Sequence, residues 1–128
     1  NRKEAAQALQ IEFENETQIE AAGIELMDRL DCENVLLTLG KDGMMLFRRS
    51  GEIFKVPTRA RRVADVSGAG DTAIATIAAA IAGGADIIEA AALANYASGA
   101  VCEVPGIVSI ERDVLIQTIK KNNIRNKK

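Results

Sequence analysis

Val35-Leu36-Leu37-Thr38-Leu39-Gly40-Lys41-Asp42-Gly43-Met44-Met45-Leu46-Phe47 is a nearly continuous apolar run broken by one polar turn. Its first five residues predict a strand buried on both faces, as in a parallel sheet covered by helices. A strand with one wet face would alternate apolar and polar side chains. Gly40-Lys41-Asp42-Gly43 and then Ser50-Gly51 are turn signals, and they leave Met44-Met45-Leu46-Phe47 and Ile53-Phe54-Lys55-Val56 as short strands. That pattern is an antiparallel meander, and Pro57 ends it because proline brings no amide hydrogen to the ladder.

Helical patterns flank this sheet. Asn1, with Glu4 three residues on, has the form of a capping box for a short helix over 1–9. Thr17 with Glu20 repeats the signal before a helix carrying Ile19, Ala22, Leu26, Met27 and Leu30 on one face. Beyond the meander, residues 73–82 predict an Ala/Ile-rich helix buried on most sides and closed by Gly83-Gly84. Asp86, with Glu89 three residues later, opens another helix to about residue 100. A brief strand over 101–104, a turn at Pro105-Gly106 and a last helix capped by Ser109 complete the pattern. No internal repeat or linker interrupts it, so the expectation is one α/β layered domain over 1–128.

Composition narrows the function. The 128 residues are 48% hydrophobic and 27% charged, which is ordinary globular usage. A net charge of −2 argues against a nucleic-acid or anionic-membrane surface, and four aromatic residues are too few for a base-stacking platform. Without a histidine, His-based catalysis and His-ligated metals are excluded. Cys32 and Cys102 stand far apart with no metal-like spacing and read as reduced thiols of a cytoplasmic protein. The uncharged run over 72–85 is too short to span a membrane. No charged-then-apolar leader opens the chain, and Asn1 without a preceding Met reads as the start of a piece of a longer protein.

Asp65-Val66-Ser67-Gly68-Ala69-Gly70-Asp71-Thr72 is the segment that carries chemistry. Gly68, Ala69 and Gly70 leave the backbone bare at the start of a helix, where the first amides have no internal partner and the dipole favours an anion. A terminal phosphate fits there without any lysine. Asp71 at the edge of the same loop is a poor choice for simple anion binding. It makes sense as a base that takes a proton from a hydroxyl attacking the phosphate, and an ordinary aspartate is ionised at neutral pH. The competing reading is that Asp71 only complements the helix dipole. The segment is neither a P-loop nor a dinucleotide fingerprint, because the Gly-Lys-Ser/Thr ending and the glycine spacing are absent.

On these residues the chain resembles the ribokinase-like, or PfkB-type, carbohydrate kinases. Residues 65–72 look like their C-terminal signature, in which the final Asp is the catalytic base and the loop before it an anion hole. Leu37-Thr38-Leu39-Gly40-Lys41-Asp42-Gly43 is similar to the family's nucleotide-binding Thr-x-Gly-x-x-Gly, and Asn1-Arg2-Lys3-Glu4 to its Asn-x-x-Glu. The resemblance covers nearly the whole chain and implies the C-terminal portion of a three-layer α/β/α domain, mostly parallel with an antiparallel meander at its edge. The sugar-binding part and lid would lie outside the chain, so the chain alone is expected to be inactive. Val56-Pro57-Thr58, the run over 63–75 and Leu93-Ala94-Asn95-Tyr96-Ala97-Ser98-Gly99-Ala100-Val101 look most like the heptose 7-phosphate kinase branch. Thr76 and Val104-Pro105-Gly106-Ile107 depart from the usual pattern.

What the resemblance implies about the site is specific. Magnesium-ATP would lie across the turn holding Thr38, Gly40 and Gly43 and the helix of Asn95. Gly68, Ala69 and Gly70 would hold the γ-phosphate, and Asp71 would deprotonate the sugar. Asn1 and Glu4 would act near magnesium, with the capping box standing as a complete alternative for Glu4. A monovalent cation such as potassium would meet Asp65, Ser109 and the carbonyls of Ser67, Val101, Val104 and Gly106. The implied partners are nucleotide and sugar phosphate, and the implied assembly of the full-length protein is a homodimer. Ribose, fructose and adenosine remain alternative acceptors, and a non-catalytic nucleotide-binding module an alternative role. Arg59, Arg61 and Arg62 read as a solvated loop or as phosphate contacts.

Overall fold

The computed structural model describes residues 1–58 and 64–125, and the chain divides into two units, Asn1–Pro57 and Thr58–Lys128.

The first unit opens with helix α1 (Arg2–Leu9), started by the expected capping box: the Asn1 side chain accepts the Glu4 N–H, and the Asn1 nitrogen donates to Glu4 Oε2. Helix α2 (Glu16–Leu30) starts earlier than Thr17 predicts. Its cap is Asn15, whose side chain accepts the Gln18 N–H at 3.0 Å. Asparagine caps at least as well as threonine, which leaves Thr17 inside the first turn. Strands β1 (Asn34–Thr38), β2 (Met44–Arg48) and β3 (Ile53–Val56) form the meander in that order, with Leu36 opposite Leu46 and Leu46 opposite Phe54.

Both pairings are antiparallel, so among the described residues the parallel part of the expected sheet is not formed. The two-sided burial expected of β1 falls on β2 instead. Only Leu37 is buried in β1, whereas Met44, Met45, Leu46 and Phe47 all are in β2, the strand with a neighbour on each side. Ala5, Leu9, Phe13, Ile19, Ala22, Leu37, Met45 and Phe47 make the core of this unit. Leu30 shares the spacing of the α2 core face but is 67% exposed, because it is the last residue before Asp31 turns left-handed.

The second unit is helical: α3 (Ala69–Ala82), α4 (Ile87–Cys102) and α5 (Arg112–Arg125). Asp86 and Glu89 form the expected capping box of α4. Ala90, Ala91, Ala94 and Ala97 are fully buried, and their small side chains let α3 and α4 pack closely. α4 continues through Val101 and Cys102, so the brief strand expected there is absent; pairing along the helix satisfies those backbone groups. α3 is less covered than its composition suggests: Ala73 is buried, while Ile74 is 71% exposed. α5 begins at Arg112, three residues past the expected cap Ser109. Arg59, Arg61 and Arg62, and the end of the basic tail, lie outside the described residues. Among the described residues no helix is long and apolar enough to cross a membrane.

Candidate active site

Gly68 caps α3 with φ 77°, a left-handed conformation that side chains resist, and this turns the chain into the helix. The Ala69 N–H donates to the Val66 carbonyl at 3.2 Å, and the Thr72 N–H makes the first helical bond to Gly68 at 2.9 Å. Between them, the N–H groups of Gly70 and Asp71 meet no acceptor among the described residues. These are the orphan donors of a helix start. Gly70 and Asp71 are exposed, and a Cβ on Gly70 would meet nothing within 4 Å. The Asp71 carboxylate sits in the same first turn. Of the expected amides, that of Ala69 is therefore occupied, and those of Gly68 and Gly70, like that of Asp71, meet no acceptor among the described residues.

Behind this turn stands Asp65. Its Oδ1 accepts the Ser67 N–H at 2.9 Å and its Oδ2 the Gly106 N–H at 3.1 Å. The N–H groups of Ala64 and Asp65 both donate to the Cys102 carbonyl, at 2.8 and 3.2 Å. Hydrogen bonds from Ser67 first, and then from Gly106, hold the Asp65 carboxyl below its ordinary range. Burial, with a smaller push from the Asp65 charge, raises the Cys102 thiol. The family resemblance implicates Gly106 through its carbonyl. The role of its amide depends on a partner 41 positions away, which no local pattern announces.

In the first unit Thr38 ends β1, and a single 3₁₀ turn over Gly40–Asp42 follows. The Leu39 N–H donates to the Gly43 carbonyl at 2.8 Å and the Gly43 N–H to the Gly40 carbonyl at 3.1 Å, with both glycines at positive φ. A cavity of about 390 Å³ opens beside Leu39 and Asp42, floored by Ile19, Met44 and Met45. Asn1 and Glu4 are exposed and hydrogen-bonded to each other. In the second unit Asn95 lies on α4, only 4% exposed. Among the described residues no group of three or more His, Cys, Asp or Glu could hold a metal ion. Glu4 offers a single exposed carboxylate, so a magnesium ion would have to be carried mainly by nucleotide phosphates and water.

The fold and this turn place the chain in a class. It belongs to the pfkB family of carbohydrate kinases, whose family pattern matches residues 1–113. It is 43% identical over 124 residues to the bifunctional protein HldE of Paramagnetospirillum magneticum, a match covering 97% of this chain and 25% of that protein. The bifunctional protein HldE of Desulfatibacillum aliphaticivorans is 44% identical over 112 residues, 88% of this chain and 23% of that one. The chain thus spans about a quarter of the length of these relatives. Arabidopsis thaliana ribokinase, solved with ribose and ATP, superposes with a TM-score of 0.84 at 27% identity, over 94% of this chain and 39% of that one. Escherichia coli phosphofructokinase-2, solved with potassium, also gives a TM-score of 0.84 over the same shares, at 18% identity, which speaks for the fold alone. The chain is a portion of the ribokinase-like α/β fold.

Proposed function

We propose that this chain is the nucleotide-binding and phosphoryl-transfer part of an ATP-dependent sugar kinase, and that the acceptor is D-glycero-D-manno-heptose 7-phosphate, phosphorylated at its anomeric hydroxyl. The acceptor rests on the resemblance of residues 56–58, 63–75 and 93–101 to the heptose-phosphate kinase branch. The observation that carries the kinase reading is the first turn of α3, where two free amides and one exposed carboxylate share a few residues. Phosphoryl transfer asks for this combination: donors that hold the oxygens of the moving group, and a base for the hydroxyl that attacks it.

In this reading the Gly70 and Asp71 amides hold the γ-phosphate oxygens and Asp71 accepts the proton of the attacking hydroxyl. As the new phosphate–oxygen bond forms and the bond to ADP breaks, the charge gathers where those amides point. Thr38, Gly40 and Gly43 contact the nucleotide, and Asn95 contributes from α4. Magnesium, with Glu4 and Asn1 near it, would neutralise phosphate charge, and a monovalent cation beside Asp65 and Ser67 would add to the local field. The complete protein would act as a homodimer in the cytoplasm.

The test is initial-rate ADP formation by the complete protein with heptose 7-phosphate, ribose, fructose and adenosine. Turnover highest with the heptose phosphate supports the full reading. Turnover with another acceptor removes only the substrate. ADP formation independent of every sugar, or none at all, removes the kinase.

A further inference from the structure

We propose that Asp65 and Gly106 form a brace that sets the position of the phosphate-holding turn, which makes both of them positioning residues for the transfer; the inference rests on the kinase reading above. Among the described residues, the segment over 64–67 has few other anchors. Val66 is 66% exposed, and Ala64 and Ser67 are exposed as well, so apolar burial does not anchor it. Its fixed points are polar. The Cys102 carbonyl, at the end of α4, takes two of its N–H groups, and the Asp65 carboxylate ties it to Gly106. Gly106 has φ 83°, and a Cβ there would meet nothing within 4 Å. The constraint at that position is backbone conformation rather than space, and this conformation accompanies the N–H bond to Asp65.

A second contact joins the same two turns. A Cβ on Gly68 would lie 3.4 Å from Ile107 Cγ2, so the chain after Gly106 stands against the residue that caps α3. The brace therefore reaches the free amides of Gly70 and Asp71 through the short turn Ser67-Gly68-Ala69. An anion site built from backbone amides cannot adjust by changing a rotamer; it moves only with the chain. A shift near 1 Å at a transfer site can cost roughly 10²-fold in rate.

The brace makes a different prediction from cation binding at Asp65. Asp65→Asn keeps the size but leaves one oxygen to accept two diverging N–H groups, so one tie is lost. In the complete protein, with saturating sugar, Asp65→Asn should lower kcat by roughly 10- to 100-fold and change KM for ATP much less. Gly106→Ala should act in the same direction, and the double variant should match the worse single rather than the product of the two. Amide exchange at Gly106 should be slow in the wild type and fast in Asp65→Asn. Wild-type kcat in folded Asp65→Asn overturns the proposal, as do multiplicative effects or full rescue by added potassium. If Asp65→Asn does not fold, Gly106→Ala kinetics and wild-type exchange decide, and an unprotected Gly106 amide overturns it. A wild-type protein without kinase activity removes the kinase reading, while the exchange measurement still judges the tie.

Discussion

Phe47 fills the space that a side chain at position 23 would need: a Cβ on Gly23 would collide with the Phe47 ring. Phe47 is fully buried on β2, the central strand, so α2 lies against the sheet closely enough that only glycine fits. Alanine improves a helix interior by about 1 kcal/mol over glycine in the absence of contacts. Here the clash should win. Gly23→Ala is expected to lower stability by about 1–3 kcal/mol, as overpacking does, read from urea unfolding. Unchanged or raised stability would mean that the ring has room to move.

Asp71→Asn in the complete protein should lower kcat by roughly 10²- to 10⁴-fold, the usual worth of a general base. ATP affinity should change only a few-fold, because the amides of Gly70 and Asp71 remain. Rapid-quench turnover and nucleotide titration check the two halves. Near-normal turnover would leave Asp71 with the helix dipole alone.

Asp65 sets a pH dependence with a definite sign. Its folded carboxyl titrates below its unfolded range, so its contribution to stability is fully present above the unfolded value, about 3.9. That contribution is lost as pH falls through the folded value. The stability difference between wild type and Asp65→Asn should therefore be constant from neutral pH to about 5 and shrink in stronger acid. A difference that grows on acidification would show the opposite shift. Thermal melts across that range decide.

The two thiols should differ in reactivity. Cys102 is buried and its thiol is raised by burial, whereas Cys32 is half-buried and donates to the Asn34 carbonyl at 3.4 Å. Only the thiolate reacts, so Cys102 has less access than Cys32, and burial lowers its own share of the reactive form. A colorimetric thiol reagent at neutral pH should label Cys32 first, with Cys102 at least about tenfold slower. Equal rates would contradict the burial of Cys102.

Much of this was legible from local patterns. The capping boxes at Asn1/Glu4 and Asp86/Glu89 are three-residue relationships and appear where they are read. The meander is announced by Gly43 and Gly51, both at positive φ. The Gly68 turn follows from the same short-range grammar, whereas α3 starts at Ala69, ahead of the expected helix over 73–82, and takes Asp71 into its first turn. The structure departs from the local patterns where two signals compete or where burial decides. Asn15 displaced Thr17 as a cap, and α4 ran on through Val101 and Cys102.

The chain's own order of residues determined the capping boxes at Asn1 and Asp86, the turns and the bare-backbone loop that holds Asp71, because each depends on torsions and hydrogen bonds spanning a few positions. Tertiary structure alone decided that β2 rather than β1 is the buried strand, that Gly23 makes room for Phe47, and that Asp65 meets Gly106. Those outcomes depend on which distant surfaces come into contact. Burial and long-range hydrogen bonds belong to pairs of segments, and neither segment carries the information by itself.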